Sequence, residues 1–499
     1  MSQSKFQEQL LLIQKKYQDR IQESITLGKV DDIHNIVTEM ESEMNKITAL
    51  LTQTTNQALQ NSKNLDPRRV FSNKLTNLNL DHIAYQTDFN FFKQLPERED
   101  YRTAIDQALK DSEQYNARRS LLSTAMRLTE NVSKPFFRIV DHCRTVLDFK
   151  APLEIFVVQD SMFNAAVMPM IDDRVIIYLT SSLLEKFSDD EIAFVLGHEM
   201  GHAMFGHINI PVNMLMSYGH ILSGRDLIKL KSWQRSAELS ADRAGLLCSQ
   251  DYNAACSAFF KLSSGITSDQ FKFNVEDYMG QYADLEFYLK NTSSQNVNEV
   301  YSSHPLNPIR LKALSLFKKS ETYSHITGKT INDLVKKEEV ESQIKAFMDI
   351  MEPNYLDDDS KISENIREFM FLSGYMIASA NGVLDETEIT QLSSLVNDPN
   401  ARTRMMDLEK KDKQEIIQTI MQISGKLLFD LTSIQRTNIA RDLFVVATAD
   451  GSIAQGEIDT MYNICNSLAI SPYFIEELLR TSNVPVEQPA LATDIQKAA

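Results

Sequence analysis

The sequence predicts a mainly α-helical protein with a small β-sheet set in its central part. Three observations carry that prediction. Apolar residues recur at helical spacing from the first residues onward, as in Phe6, Leu10, Ile13, Tyr17 and Ile21. Two short stretches, Glu154–Val158 and Arg174–Leu179, are apolar and β-branched enough to be strands. Near the C-terminus, Ala380-Asn381-Gly382-Val383-Leu384-Asp385-Glu386-Thr387-Glu388-Ile389 is echoed by Ala449-Asp450-Gly451-Ser452-Ile453-Ala454-Gln455-Gly456-Glu457-Ile458, each copy following an apolar helical stretch.

Composition limits the function classes. A chain of 499 residues is expected to hold several domains, and 43% hydrophobic with 24% charged residues is an ordinary soluble composition. A net charge of −17 disfavours nucleic acid and anionic membrane surfaces as partners. Cys143, Cys248, Cys256 and Cys465 lie far apart, which suits free thiols in a reducing compartment. The N-terminus has no apolar signal core, and the longest apolar candidate, Ile208 to Leu222, is interrupted by Asn209, Pro211, Asn213 and His220. No membrane span and a cytoplasmic location are therefore expected.

Taken in order, residues 1–65 read as a helical hairpin or short coiled coil. Gly28 divides a first apolar set from a second, Ile33, Ile36, Met40, Met44, Ile47 and Leu51. This arm is either a surface for a protein partner or self-association, or a helical pair packed on the chain's own body. Residues 66–120 form a helical connecting region, with breaks expected at Asp66-Pro67-Arg68-Arg69 and at Phe89-Asn90-Phe91-Phe92 before Pro96; from Tyr101 to about Asn131 the pattern is helical. Residues 121–328 form the central domain. Its two strands bracket Asn164–Pro169, where Pro169 suits an edge or turn. A helix from Thr180 to Phe187 follows, then the helix of the main motif, then a helix through Gln234–Gly245. Residues 264–303 are polar and interrupted, with a loop at Asn291–Asn296, and are expected to lie over a cleft as a lid; a further helix ends near Lys319. Residues 329–360 form a charged linker containing Lys336–Glu339 and Asp357–Asp359. The repeat occupies a helical domain at 361–483, and residues 484–499 read as a disordered tail.

The main motif is Gly197-His198-Glu199-Met200-Gly201-His202, after Asp189–Leu196. Ser188, Asp189 or Asp190 can cap a helix there, and Ile192, Val195, Leu196 and Met200 keep its period. The helix stacks His198 and His202 on one face, where two imidazoles can share a tetrahedral zinc ion. Glu199 beside them can take the proton of an attacking water. A catalytic zinc needs a third protein ligand and an open position. Glu238 is the candidate, with Asp242 one turn on to accept the N–H of a ligand histidine. The other reading of Glu238 and Asp242 is a solvated acidic face. His207 lies about half a turn away around the helix, so it is expected to be structural unless the helix breaks at Gly206.

Together, Asn164-Ala165, His198-Glu199-x-x-His202, Glu238-x-x-x-Asp242-Arg243 and His304-Pro305-x-x-x-x-Arg310 resemble the CAAX-prenyl endopeptidase/HtpX family of zinc metallopeptidases. The resemblance runs from about Leu121 to Phe317 and implies an α+β zincin-like core. It implies one Zn²⁺ per chain on His198, His202 and Glu238, with Glu199 as general base and then proton donor. Asp242 would stand behind the ligands. His304 would help stabilise the oxyanion with Arg310 in support, although His304 also reads as a loop residue opening a helix. Asn164 and Ala165 would lie on an edge strand that pairs with an extended polypeptide substrate. The family's best-known members have membrane spans, so a soluble polypeptide is the expected substrate. The repeat, with Asn381-Gly382 and Glu388, then Asp450-Gly451 and Glu457, resembles the tellurite-resistance TerB-like domain. That resemblance marks Asp450 and Glu457 as a candidate second metal site; the same residues also read as Asx-Gly turns with a capping Glu.

Two functions follow. One is a soluble zinc endopeptidase whose terminal helical parts regulate or target it. The other is a scaffold or stress sensor whose metal site is structural or inactive.

Overall fold

The computed structural model describes residues 80–486, except 112–113, 172–173, 217–220, 269–270, 272–273, 292–303, 353–354, 356–359, 383 and 483, together with residues 15–17, 20, 36, 39, 40 and 43. The chain divides into two compact units, Met1–Lys74 and Leu75–Ala499. Within the first, the described residues are helical and Tyr17 and Ile36 are buried. Lys16 and Tyr17 both bond Glu43, at 3.1 and 2.7 Å, while Arg20 bonds Glu39 at 2.8 Å. Partners that run in opposite directions set the two helical pieces antiparallel. The other positions of the expected hairpin (Phe6, Leu10, Ile13, Ile21, Gly28, Ile33, Met44, Ile47 and Leu51) lie outside the described residues, as do Asp66–Arg69, residues 292–296, Asp357–Asp359 and residues 487–499.

In the second unit a helical turn at Leu80–Ile83 precedes α1 (Gln86–Gln94), α2 (Glu99–Asp111) and α3 (Gln114–Thr124). Phe89–Phe92 lies inside α1 and is not a break. Phe91 and Phe92 stack against Trp233, with ring centroids 5.9 and 6.3 Å away, and the chain turns only at Leu95–Glu97. The helix expected to reach about Asn131 stops at Thr124, because Met126–Leu128 (β1) pairs antiparallel with β2. After α4 (Lys134–Val146), the strands β2 (Leu153–Val158), β3 (Ala165–Ile171) and β4 (Arg174–Thr180) complete a sheet of order β1-β2-β4-β3. β2 and β4 run parallel, and β3 returns antiparallel to β4 as an edge strand. Pro169 sits where the β3 register shifts, since its missing N–H is tolerated at an edge.

Next come α5 (Ser181–Lys186) and α6 (Asp189–Met204). Ser188 caps α6: its hydroxyl accepts the Glu191 N–H, and the Glu191 carboxylate accepts the Ser188 N–H at 2.6 Å. α7 (Gly224–Ser249) is far longer than the stretch its periodicity indicates, because many of its polar residues are buried too, among them Asp226, Arg235, Ser236, Glu238, Ser240 and Asp242. α6 and α7 pack very closely. A Cβ at Gly197 would lie 2.6 Å from Cys248 Sγ, and one at Gly201 would lie 2.8 Å from the Ala244 Cβ. Small residues on both helices therefore let their backbones meet, which brings the α7 carboxylates up to the histidine face of α6.

α8 (Tyr252–Ser264), α9 (Val275–Asn291) and α10 (Asn307–Lys318) follow. α9 falls in the stretch expected to be irregular. Its polar sequence hides a helix held by burial of Tyr282 and Leu289. α11 (Lys337–Met348) leads to the C-terminal helical part, which includes α12 (Lys361–Ala378), α13 (Glu386–Val396), α14 (Ser433–Ala447) and α15 (Gln455–Ser467). α7 reaches into both halves. Its Ile228 belongs to the same apolar cluster as Phe369, Leu392 and Leu443, and the Gly224 N–H donates to Gln391 at 2.7 Å. No helix among the described residues is long and apolar enough to cross a membrane.

Candidate metal centre

α6 sets His198 and His202 one turn apart, with their Nε2 atoms 3.1 Å from each other. From α7, Glu238 places Oε2 3.5 Å from His198 Nε2 and Oε1 3.4 Å from His202 Nε2. Among the described residues these three side chains are the set whose ligand atoms all lie within 4.8 Å of one another. Two imidazole nitrogens and one carboxylate are a donor set that suits a catalytic zinc. Glu238 Oε2 is buried and accepts no hydrogen bond, which fits a metal-ligating oxygen.

Glu238 and Asp242 are 5% and 1% exposed, which rules out the solvated acidic face. Arg310, from α10, holds both. Its guanidinium makes paired bonds of 2.9 and 2.7 Å to Asp242 and stands 3.2 Å from Glu238 Oε2. Burial by itself would raise the Asp242 pKa, but Arg310 and His198 outweigh it and draw it below its ordinary value. Glu238 is drawn well below its ordinary value against the same burial, by Arg310 and then His202. Asp242 Oδ1 lies 3.0 Å from His198 Nδ1.

Glu199 faces the sheet, and its Oε2 accepts the Val167 N–H of edge strand β3 at 2.8 Å. Ala165 opens β3, and Asn164 just before it is tied to Thr180 by its own N–H and carbonyl. Asn164 and Ala165 also line a cavity of about 190 Å³, with Phe194, Val195, Phe259 and Leu262 as its apolar wall, which opens on His198 and Glu199. His304 stands at its rim, Nε2 3.3 Å from Glu238 Oε1 and side chain 55% exposed. It is outside the three-ligand set.

The α6 helix ends at Phe205, and Gly206 takes φ +79°, a left-handed turn that glycine adopts without strain. His207 thereby swings back, but toward His202 and not the metal position: the two Nδ1 atoms are 3.0 Å apart. Its Nε2 lies 3.0 Å from Asp88 Oδ2 on α1. Sequence reasoning did not find Asp88. The one local signal was an acid set among the aromatic residues Tyr85, Phe89, Phe91 and Phe92.

The two C-terminal turns are brought together. Gly382 and Gly451 have φ +88° and +92°, and a Cβ at Gly456 would meet the Ala380 carbonyl at 3.0 Å. Glu388 accepts the Asp385 N–H at 3.2 Å and Glu457 the Ala454 N–H at 2.7 Å, so both acids cap helices. Asp450 accepts the Ser452 N–H at 2.9 Å. Glu388 and Glu457 hydrogen-bond each other, and burial followed by that contact pushes the Glu388 pKa up to about 8.

Residues 134–317 match the model of peptidase family M48, and residues 369–478 match that of tellurite resistance protein TerB. The chain is 24% identical over 222 residues to a protein of Arabidopsis thaliana named plastoglobule-localized metallopeptidase 48, chloroplastic; the match covers 41% of this chain and 63% of that protein. That name places the relative at plastoglobules, so it lends no support to a cytoplasmic location here. No solved structure matches the chain. With a fold of helices around one small mixed sheet and two separate family matches, the chain carries a peptidase M48 domain followed by a C-terminal TerB domain.

Proposed function

We propose that this protein is a zinc-dependent endopeptidase acting on polypeptides. The observation that carries the reading is the convergence of His198, His202 and Glu238 beside a Glu199 that faces an edge strand. These three residues would hold one zinc ion, which supplies Lewis acidity and makes water acidic enough to attack a carbonyl near neutral pH. Glu199 acts as the base. The Val167 N–H anchors one carboxylate oxygen, so the other takes the proton of the attacking water and returns it to the leaving amine. The substrate lies extended along β3, positioned by Asn164 and Ala165. Its side chain next to the cleaved bond enters the cavity walled by Phe194, Val195, Phe259 and Leu262, which favours an apolar residue there. His304, at the rim, donates to the oxygen on which negative charge develops. Arg310, hydrogen-bonded to Asp242 and ion-paired with Glu238, acts through them and positions the ligands. Asp450 and Glu457 keep the structural role of their hydrogen bonds to turn N–H groups.

The TerB domain and the N-terminal helices serve as targeting or regulatory parts and as surfaces for a protein partner or self-association. α7 supports this for TerB, since its first turns pack in the TerB core and its later turns carry Glu238.

The test is Glu199→Ala beside wild type, with zinc content and cleavage of an unfolded polypeptide measured for both. Expected are equal zinc and a cleavage rate lower by about 10²–10⁴-fold in the variant. Equal zinc with no cleavage by either protein would favour a scaffold whose site is inactive.

A further inference from the structure

The two ligand histidines are held from behind in different ways. His198 turns Nδ1 directly to a carboxylate, Asp242. His202 turns Nδ1 to a second imidazole, His207, whose far nitrogen meets Asp88 at 3.0 Å. Asp88 is 1% exposed and also receives the Trp233 indole N–H at 2.7 Å and the Ser240 hydroxyl. Trp233 and Ser240 both belong to α7, the helix that carries Glu238. His207 is clamped between rings, stacked on Phe205 and edge-on to Trp233, each with centroids 5.6 Å away.

Proton positions follow from these contacts. Two facing Nδ1 atoms of neutral rings hold one proton between them. A histidine that offers Nε2 to a metal keeps its proton on Nδ1, so His202 is the donor. His207 Nδ1 is then the acceptor, and the His207 proton sits on Nε2, where Asp88 accepts it. Asp88, an acceptor at both oxygens, is satisfied by three donors.

We propose that Asp88 and His207 form a positioning relay that fixes His202 in the tautomer and orientation presenting Nε2 to the metal. The peptidase site is thus completed from α1, which precedes the stretch 134–317. This rests on the proposed zinc ligation. A merely structural role, tying α1 to α7, would leave metal affinity untouched.

Zinc affinity of the full chain, measured by competition with a chelator, distinguishes the two. In Asp88→Asn the amide can accept the Trp233 N–H only by turning its NH₂ toward His207, which reverses the polarity of the relay. Affinity is expected to fall about 10–100-fold. His207→Leu, which removes the acceptor, is expected to lose as much. In His207→Gln the amide can accept from His202 and donate to Asp88, and affinity is expected to return to within a few-fold of wild type. Wild-type affinity in Asp88→Asn, or equal affinity in His207→Leu and His207→Gln, would overturn the relay. Should the first two variants fail to fold, the ¹⁵N shifts of His207 in zinc-loaded wild type decide: a proton on Nε2 supports the relay and one on Nδ1 overturns it. A wild type that binds no zinc would sink the metal assignment and the relay together, whereas unaffected variants of a zinc-binding wild type sink the relay alone.

Discussion

Two pairs of buried acids in this chain end in opposite states. At the candidate metal centre, Glu238 and Asp242 meet Arg310 and two imidazoles, and both carboxyls are drawn below their ordinary range. In the TerB domain, Glu388, 1% exposed, meets Glu457, 3% exposed, and is pushed up to about 8. Burial is as deep in one place as in the other, so burial does not decide the charge. The partner does: a guanidinium keeps a buried acid ionised and fit to bind a cation, while a second carboxylate makes two acids share a proton. That difference separates a site for chemistry from a pair of helix caps.

Removing the charge from the ligand is expected to have the largest effect. Glu238→Gln should lower zinc affinity by more than the roughly 10–100-fold of a change behind the ligands, as read by chelator competition; an unchanged affinity would remove Glu238 from the site. Next comes the cation. Arg310→Met leaves two buried carboxylates without their guanidinium and should cost about 3–5 kcal/mol of stability in the metal-free protein, measured by urea unfolding. The sign with pH follows from the lowered pKa of Asp242. Its contribution is present above the unfolded value of about 3.8 and is lost as pH falls through the lower folded value, so the variant should unfold at a higher pH on acidification. The smallest expected effect is a slope. Glu388 is raised, so its contribution is full below about 4.5 and is lost as pH rises through about 8. Wild-type stability should therefore decline across that window, and Glu388→Gln should flatten the decline. A steeper fall in the variant would show that the two turns do not share a proton.

Much of the candidate site was legible along the chain. The i, i+4 spacing of His198 and His202 needs only a helix, and a cap among Ser188, Asp189 and Asp190 together with the apolar period indicated one. Pro169 marked the β3 edge, and the echo of Ala380–Ile389 at Ala449–Ile458 showed the repeat. Other features left no local trace. α9 was hidden by its polar composition, and β1 exists only because β2 is there to pair with it. Arg310 was expected in support of His304, but its hydrogen bonds to Asp242 and its ion pair with Glu238 could not be read from the chain.

By itself the sequence determined which residues could do chemistry and which helix faces they occupy, because helical phase and capping are relations among near neighbours. Only the tertiary structure decided which acid stands beside which cation. Asp88 reaches His207, Glu238 reaches His198, and Glu388 reaches Glu457 through the packing of elements far apart in the chain. For Glu238 and His198, the glycines and alanines that let α6 and α7 touch bring the two together, and small residues carry no signal until both helices are in place.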